Sequence, residues 1–99
     1  MTVGYVSATS TNVASGAYFI FQPVGSQEVV VHNIYCGSSA MVYYGSGTAT
    51  TSCVPIYSLS SSGWITGIFS HATNSQFIMI KNLSNASATF GLDGIITRD

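Results

Sequence analysis

Few side chains in this sequence could do chemistry. Carboxylate, imidazole and thiol groups occur at seven positions: Glu28, His32, Cys36, Cys53, His71, Asp93 and Asp99. General acid–base catalysis requires such groups to converge on one cleft. Glu28 follows a Gly-Ser-Gln turn, Asp93 precedes a glycine and Asp99 ends the chain. We therefore interpret all three carboxylates as solvated surface groups.

The two histidines and two cysteines form a nominal Cys₂His₂ set for zinc, but their spacing argues against a shared ion. His32 and Cys36 lie four residues apart in a segment with strand character. A strand rises about 3.3 Å per residue, so about 13 Å would separate them. Zinc ligands lie only about 2.0–2.3 Å from the metal. We expect no metal site, and we interpret Cys36 and Cys53 as small apolar residues, although a disulfide between them stays open.

Nucleophilic catalysis has no specific signal either. Serine is so frequent that a Ser/His/Asp set can be written around any histidine, and no Gly-x-Ser-x-Gly elbow occurs. The segment 45–47 is Gly-Ser-Gly between two predicted strands, which is typical of a hairpin rather than a phosphate loop. The sequence thus predicts a protein that is not an enzyme, with no catalytic, cofactor-binding or metal-binding residues.

Aromatic residues are the remaining candidates for binding. Trp64 and six tyrosines are present, and Tyr43, Tyr44 and Tyr57 stand near glycine- and serine-rich segments. Exposed aromatic rings stack on sugar rings, whereas buried ones pack in cores and interfaces. A small carbohydrate-binding module that uses Trp64 and the tyrosines is therefore one alternative for the function.

Charge excludes several classes of protein. Only 5% of the residues are charged and the net charge is −1, against about 25% charged residues in an average domain. Two cations, Lys81 and Arg98, cannot supply the basic surface that nucleic acids or anionic membranes attract. With 46% hydrophobic residues the chain is not disordered. Ser, Thr, Gly and Asn together make up 41 of 99 residues, a neutral surface that suits coverage by a partner.

No segment indicates export or membrane insertion. The first five residues lack the basic and apolar regions of a signal peptide. The longest apolar runs, residues 17–21 and 77–80, are far shorter than the ~18 residues of a membrane helix. We expect a protein without membrane contact whose thiols are reduced.

The pattern of apolar residues predicts an all-β fold. Val, Ile, Tyr, Phe and Thr recur in short runs separated by turn residues every 8–12 positions, as in an antiparallel β-sandwich or jelly roll. We predict one domain of seven or eight short strands over residues 17–99, preceded by an N-terminal arm or edge strand over residues 1–16. The predicted strands cover residues 17–22, 28–36, 40–44, 48–55, 64–69, 76–82, 86–92 and 95–97.

Finer expectations concern the turns and the faces of strands. Residues 57–63 are expected to form a loop, residues 70–75 a turn, and Asp93–Gly94 a turn or bulge. In the strand 28–36, alternation groups Val30 with Ile34 and Cys36 on one face and Val29 with Val31 and Tyr35 on the other. Since both faces are apolar, this strand is expected to be central.

Two long stretches resemble small β-sandwich structural proteins of tailed-phage virions. They are VVVHNIYCGSSAMVYYGSG, starting at Val29, and SQFIMIKNLSNASATFGLDGIITRD, starting at Ser75. The shared features are an Asn-Ile-Tyr strand that leads into a small-residue hairpin, a late aliphatic strand, a Ser/Asn/Ala turn and a closing Asp-Gly. The resemblance spans about residues 29–96 and carries no catalytic residue.

This resemblance implies a structural role in a virion. The expected role is that of a capsid decoration, or cement, protein that braces neighbouring coat subunits, and a tail or baseplate component is the alternative. The implied partners are the major capsid protein or other virion proteins, together with further copies of the chain in a dimer or trimer. Exposed edge strands could extend a neighbour's sheet, with residues 1–15 as the first candidate.

Overall fold

The chain folds into antiparallel β-strands. We describe a computed structural model that covers residues 3–46, 53–68 and 70–98. Over these ranges the chain forms nine strands and no helix, which confirms the all-β prediction. In chain order the strands are β1 (Val6–Val13), β2 (Tyr18–Phe21), β3 (Glu28–Cys36), β4 (Ala40–Ser46), β5 (Cys53–Leu59), β6 (Gly63–Ile65), β7 (Ser70–Ala72), β8 (Gln76–Asn82) and β9 (Ala88–Arg98).

The strands form two sheets that pack as a sandwich. Sheet A has the order β1-β9-β3-β6, with β7 also paired to β3, and sheet B has the order β2-β8-β4-β5. Because β6 and β7 pair with different parts of β3, they act as two halves of one strand. Counted that way, the described ranges contain eight strands in two four-stranded sheets, arranged as in a jelly roll.

The core lies between the inner faces of the two sheets. Each strand sends alternate side chains inward, and sheet B contributes Phe19, Val42, Ile78 and Ile80 to this layer. The remaining members of the buried cluster are Val13, Val31, Ile34, Cys36, Ala40, Ile68, Ala72, Phe90 and Leu92. These residues account for the apolar alternation in the sequence.

A β-bulge in β3 changes which residues face the core. Val31 pairs with Gly94 and Asn33 with Asp93, so His32 is the extra residue of the bulge. The His32 carbonyl accepts a hydrogen bond from the Ile68 N–H (3.1 Å). The bulge shifts the alternation by one residue, and Val31 joins the core beside Ile34 and Cys36.

The predicted faces of β3 are therefore wrong. Simple alternation assigns Val30 to the face of Ile34 and Cys36 and assigns Val31 to the opposite face. That assignment holds only for an unbroken ladder. The expected central position of β3, between β9 and the β6/β7 pair, is correct.

Strand limits agree with the prediction where burial is strong and differ where the sequence is polar. β3 and β8 match the predicted segments 28–36 and 76–82. Residues 57–63, expected as a loop, contain the end of β5 and the start of β6, and residues 70–75, expected as a turn, contain β7. These polar residues show no strand pattern in the sequence. They form strands because β4 and β3 supply their backbone hydrogen bonds. Of the predicted strand 48–55, residues 48–52 lie outside the described ranges.

The last strand is longer than expected. A turn or bulge was predicted at Asp93–Gly94, yet β9 runs unbroken from Ala88 to Arg98. The irregularity lies on the partner strand, at the His32 bulge. Gly94 is required there because a Cβ would overlap the Val30 carbonyl oxygen. The Asp-Gly pair marks close contact between strands, and not a chain reversal.

Asn82 ties several chain segments together at one end of the sandwich. Its side chain is fully buried. Its Nδ2 donates to the carbonyls of Val13 (3.0 Å) and Ala86 (2.9 Å). Its Oδ1 accepts from the Ser38 hydroxyl (2.9 Å) and from both the N–H (3.0 Å) and hydroxyl (2.7 Å) of Ser84. One side chain thereby connects the end of β1, the turn after β3 and the turn before β9.

Candidate functional site

Among the described residues, an acidic, an imidazole and a basic side chain lie near one another at the end of sheet A where β3 begins. The Glu28 carboxylate accepts a hydrogen bond from the Thr97 hydroxyl (2.7 Å) and lies 2.9 Å from His71 Nδ1. The Thr97 hydrogen bond, followed by the one from His71, lowers the pKa of Glu28. Nearby, Arg98 Nε donates to the Ser26 carbonyl (2.6 Å). These contacts fasten β7 and the end of β9 to the start of β3.

Tyr44 joins this group from sheet B. Its hydroxyl donates a hydrogen bond to the His71 carbonyl. Burial, with a smaller contribution from Glu28, raises the pKa of Tyr44. The phenol therefore stays protonated and acts as a tie between the two sheets.

The three nominal zinc ligands with described side chains are dispersed. Cys36 is buried in the core, where desolvation raises the pKa of its thiol to about 11. His32 lies at the bulge and His71 beside Glu28. Among the described residues no group of three or more His, Cys, Asp or Glu side chains could hold a metal ion. The side chain of Cys53 is not among those described.

The outer face of sheet A carries a groove of about 350 Å³. Its described lining residues are Ala8, Thr9, Ser10, Trp64, Gly91, Leu92 and Asp93. The groove exists because small residues meet across β1 and β9: Ser10 pairs with Gly91, and Ala8 pairs with Asp93. Gly91 cannot be larger, since a Cβ would lie 2.8 Å from the Thr9 carbonyl oxygen.

Trp64 forms the aromatic wall of this groove. It is 60% exposed although it lies within strand β6. It pairs with Tyr35 across the sheet, and the two ring centroids are 5.1 Å apart at an interplanar angle of 54°. Tyr35 in turn pairs with Gly91, so a single cross-strand row runs from the indole to the open floor of the groove.

Asp93 supplies the charge of the groove. Its Oδ1 accepts a hydrogen bond from Asn33 Nδ2 (2.9 Å), a neighbour in the register of β3 and β9. This bond fixes the carboxylate on the outer face of the sheet. Asp93 is the one charged residue among the described lining residues. Sequence reasoning singled out Trp64 but missed Asp93, because its Asp-Gly context indicated a turn.

The edges of the sheets form a second candidate site. β2, β6 and β7 are edge strands of three or four residues, and β5 contains Pro55 and a register shift opposite Val42 and Tyr43. Short length, proline and bulges are the features that protect natural edges from pairing with other chains. β1 is the exception, with eight residues and neither charge nor proline. β1 lies within residues 1–16, the segment predicted as an arm or edge strand, and Val13 is its one buried residue.

The outer face of sheet B is also nearly free of charge. Met79 is buried between its register partners Ile20 and Tyr43, on the face opposite the core. The rings of Tyr18 and Tyr43 lie 6.2 Å apart, and Lys81 Nζ lies 5.7 Å from the Tyr18 ring centroid. The tyrosines singled out in the sequence thus serve different surfaces, and they do not gather around Trp64.

Comparison with known proteins gives no family. No protein-family model matches the chain, and no curated protein sequence matches it significantly. The described residues contain no helix with the length and apolar character needed to cross a membrane.

Proposed function

We propose that this protein is a structural component of a virus particle, most specifically a capsid decoration protein that binds coat subunits and further copies of itself. The single observation that carries the proposal is the unprotected edge of β1. The resemblance over residues 29–96 and the use of jelly rolls in viral capsid domains support the same role. A component of the tail or baseplate is the second form of this proposal.

The edge of β1 offers a backbone template to another chain. In an antiparallel strand every second residue directs its N–H and C=O outward, so an eight-residue strand presents about eight hydrogen-bonding groups. At about 0.5–1.5 kcal/mol net per hydrogen bond, full pairing contributes about 4–12 kcal/mol. Association costs about 4–15 kcal/mol in lost freedom. Pairing at one edge is therefore only marginally favourable by itself. It becomes stable where a particle adds further contacts.

The uncharged surface fits this environment. Burying an unpaired charge in an interface is costly, whereas hydroxyl groups find partners on neighbouring backbones. β1 contributes five serine, threonine and asparagine side chains and no charge: Ser7, Thr9, Ser10, Thr11 and Asn12. Covering such a strand with another chain therefore has only a small desolvation cost.

Self-association tests the role of the edge. We expect the isolated chain to form dimers or trimers in sedimentation velocity at high micromolar concentration. The double substitution Thr11→Lys with Asn12→Lys places two charges on β1 and is expected to weaken association at least tenfold, because lysine on an edge opposes pairing. The matched control, Asn85→Lys with Ser87→Lys, adds the same charge to the exposed turn before β9 and should leave association unchanged. A wild-type chain that stays monomeric, or equal weakening by both variants, would contradict the role of β1.

Placement in a particle needs a separate experiment. Antibodies against the purified chain should label intact particles, imaged by electron microscopy, at regular positions on the capsid surface. Labelling confined to the tail would overturn the decoration role in favour of the tail component. Particles from the producing host that carry no label would overturn both forms of the proposal.

A further inference from the structure

We propose that the groove beside Trp64 is a binding site for a neutral saccharide. The site combines an exposed indole, a fixed carboxylate and an open floor on the outer face of sheet A. This inference does not depend on the virion role or on the edge of β1.

The aromatic wall suits the apolar face of a sugar ring. The negative face of an indole attracts the weakly positive C–H groups that a pyranose presents on one side. Trp64 is exposed enough to offer that face, and Tyr35 packs against it at 5.1 Å between centroids. An indole supported in this way is partly ordered before the ligand arrives, which reduces the entropy cost of binding.

The carboxylate suits the hydroxyl groups of the same ligand. An ionised aspartate only accepts hydrogen bonds, and it has room for several on its two oxygens. Asn33 Nδ2 donates one hydrogen bond to Oδ1 of Asp93, and this bond orients the carboxylate. Bonds from sugar hydroxyls to the remaining positions would be charge-assisted and stronger than neutral ones.

Charge restricts the class of ligand. No described lysine or arginine lines the groove. Lys81 belongs to sheet B, and Arg98 is bonded to the Ser26 carbonyl at the end of β9. A phosphate, sulfate or uronate would meet Asp93 without a compensating cation. The volume of about 350 Å³ lies at the small end of ligand sites, which favours one or two sugar units.

The position of Trp64 gives a direct assay, because it is the only tryptophan in the chain. Methyl glycosides of glucose, galactose, mannose and N-acetylglucosamine should be titrated into the protein while its fluorescence is recorded. We expect a saturable change with at least one of them, and at least tenfold weaker binding of glucuronic acid. No response to any of the four, or equal binding of the uronate, would overturn the proposal.

Variants locate the binding to the groove. Trp64→Ala and Asp93→Asn should each weaken binding of the responding glycoside at least tenfold by isothermal titration calorimetry. Ser10→Leu should do the same by filling the floor, and Trp64→Phe should retain most of the affinity. The control is Tyr57→Ala, which removes an exposed aromatic ring from β5 in the other sheet. Unchanged affinity in Trp64→Ala, in a protein whose circular dichroism is native, would refute the assignment.

Discussion

Removal of the Asn82 side chain should destabilise the protein more than any other single polar truncation of comparable size. The side chain is fully buried and makes five hydrogen bonds, two from Nδ2 and three to Oδ1. In Asn82→Ala the Val13 carbonyl loses the partner that Nδ2 supplied in a buried setting. The loss of each such hydrogen bond costs about 0.5–1.5 kcal/mol net.

The magnitude follows from the partners. Ser84 and Ser38 lie nearer the surface and regain water, so each of their lost bonds costs only about 0.5–1.5 kcal/mol. Summed over all five bonds of the Asn82 side chain, we expect Asn82→Ala to lower the free energy of unfolding by about 3–5 kcal/mol. A domain of this kind has about 5–15 kcal/mol in total. The loss is therefore a large fraction of its stability.

Asn82→Asp provides a test of the donor bonds alone. It keeps the acceptor oxygen for Ser38 and Ser84 but replaces Nδ2 with an oxygen facing the carbonyls of Val13 and Ala86. Burial and the facing carbonyls should raise the folded-state pKa of the new carboxyl above its unfolded value. Its neutral form is then favoured by folding, so stability is greatest at low pH and is lost as pH rises through that pKa.

The assay is urea denaturation followed by circular dichroism and by Trp64 fluorescence. The control is Asn85→Ala, which truncates an exposed asparagine in the neighbouring turn and should change stability by less than about 0.5 kcal/mol. A loss below about 1 kcal/mol for Asn82→Ala, or equal losses for the two variants, would refute the reasoning. Asn82→Asp that is no more stable at low pH would refute the role of the donors.

Three further predictions use other parts of the structure. Gly94→Ala should lower stability by at least about 1–3 kcal/mol in thermal unfolding, because the added methyl meets the β3 backbone; Gly63→Ala, with nothing near its added Cβ, is the control. In a Cys53→Ser protein, Cys36 should resist a thiol reagent at pH 8 until the protein unfolds, since it is buried and has a pKa of about 11; rapid labelling of the folded state would contradict its burial. Hydrogen bonds lower the pKa of Glu28, so its stabilisation is present above the unfolded pKa and is lost as pH falls through the folded one; Glu28→Gln should flatten this acid limb in denaturation series, and an unchanged limb would count against it.

Much of the fold can be predicted from the sequence, because strands that are buried repeat their apolar residues in a regular pattern. β3 and β8 lie centrally in their sheets, carry continuous apolar runs and were located to the residue. β7 pairs with β3 through Ser70, His71 and Ala72, whose polarity indicates a turn. Its strand conformation comes from a partner about 40 residues away in sequence, which local propensity does not register.

The His32 bulge shows a second limit. A bulge changes the phase of alternation without changing composition, so simple alternation places Val31 on the wrong face. The groove is also hard to predict, because it depends on how distant strands pair. Trp64 was visible as a candidate, but Gly91, Ser10 and Asp93 become its neighbours only through the register of β1, β9 and β3. No single segment of the sequence specifies the pairing register of strands that lie far apart in the chain.

Edge pairing and saccharide binding would engage different atoms of β1. Pairing at the edge of β1 would engage backbone N–H and C=O groups that lie in the plane of sheet A. The groove uses β1 residues on the outer face, where Ala8 and Ser10 lie opposite Asp93 and Gly91, and side chains stand perpendicular to that plane. Lysines at Thr11 and Asn12 should therefore weaken self-association without changing saccharide affinity, and Trp64→Ala should do the reverse. If both variants altered both properties, the strand and the groove would have to be one site.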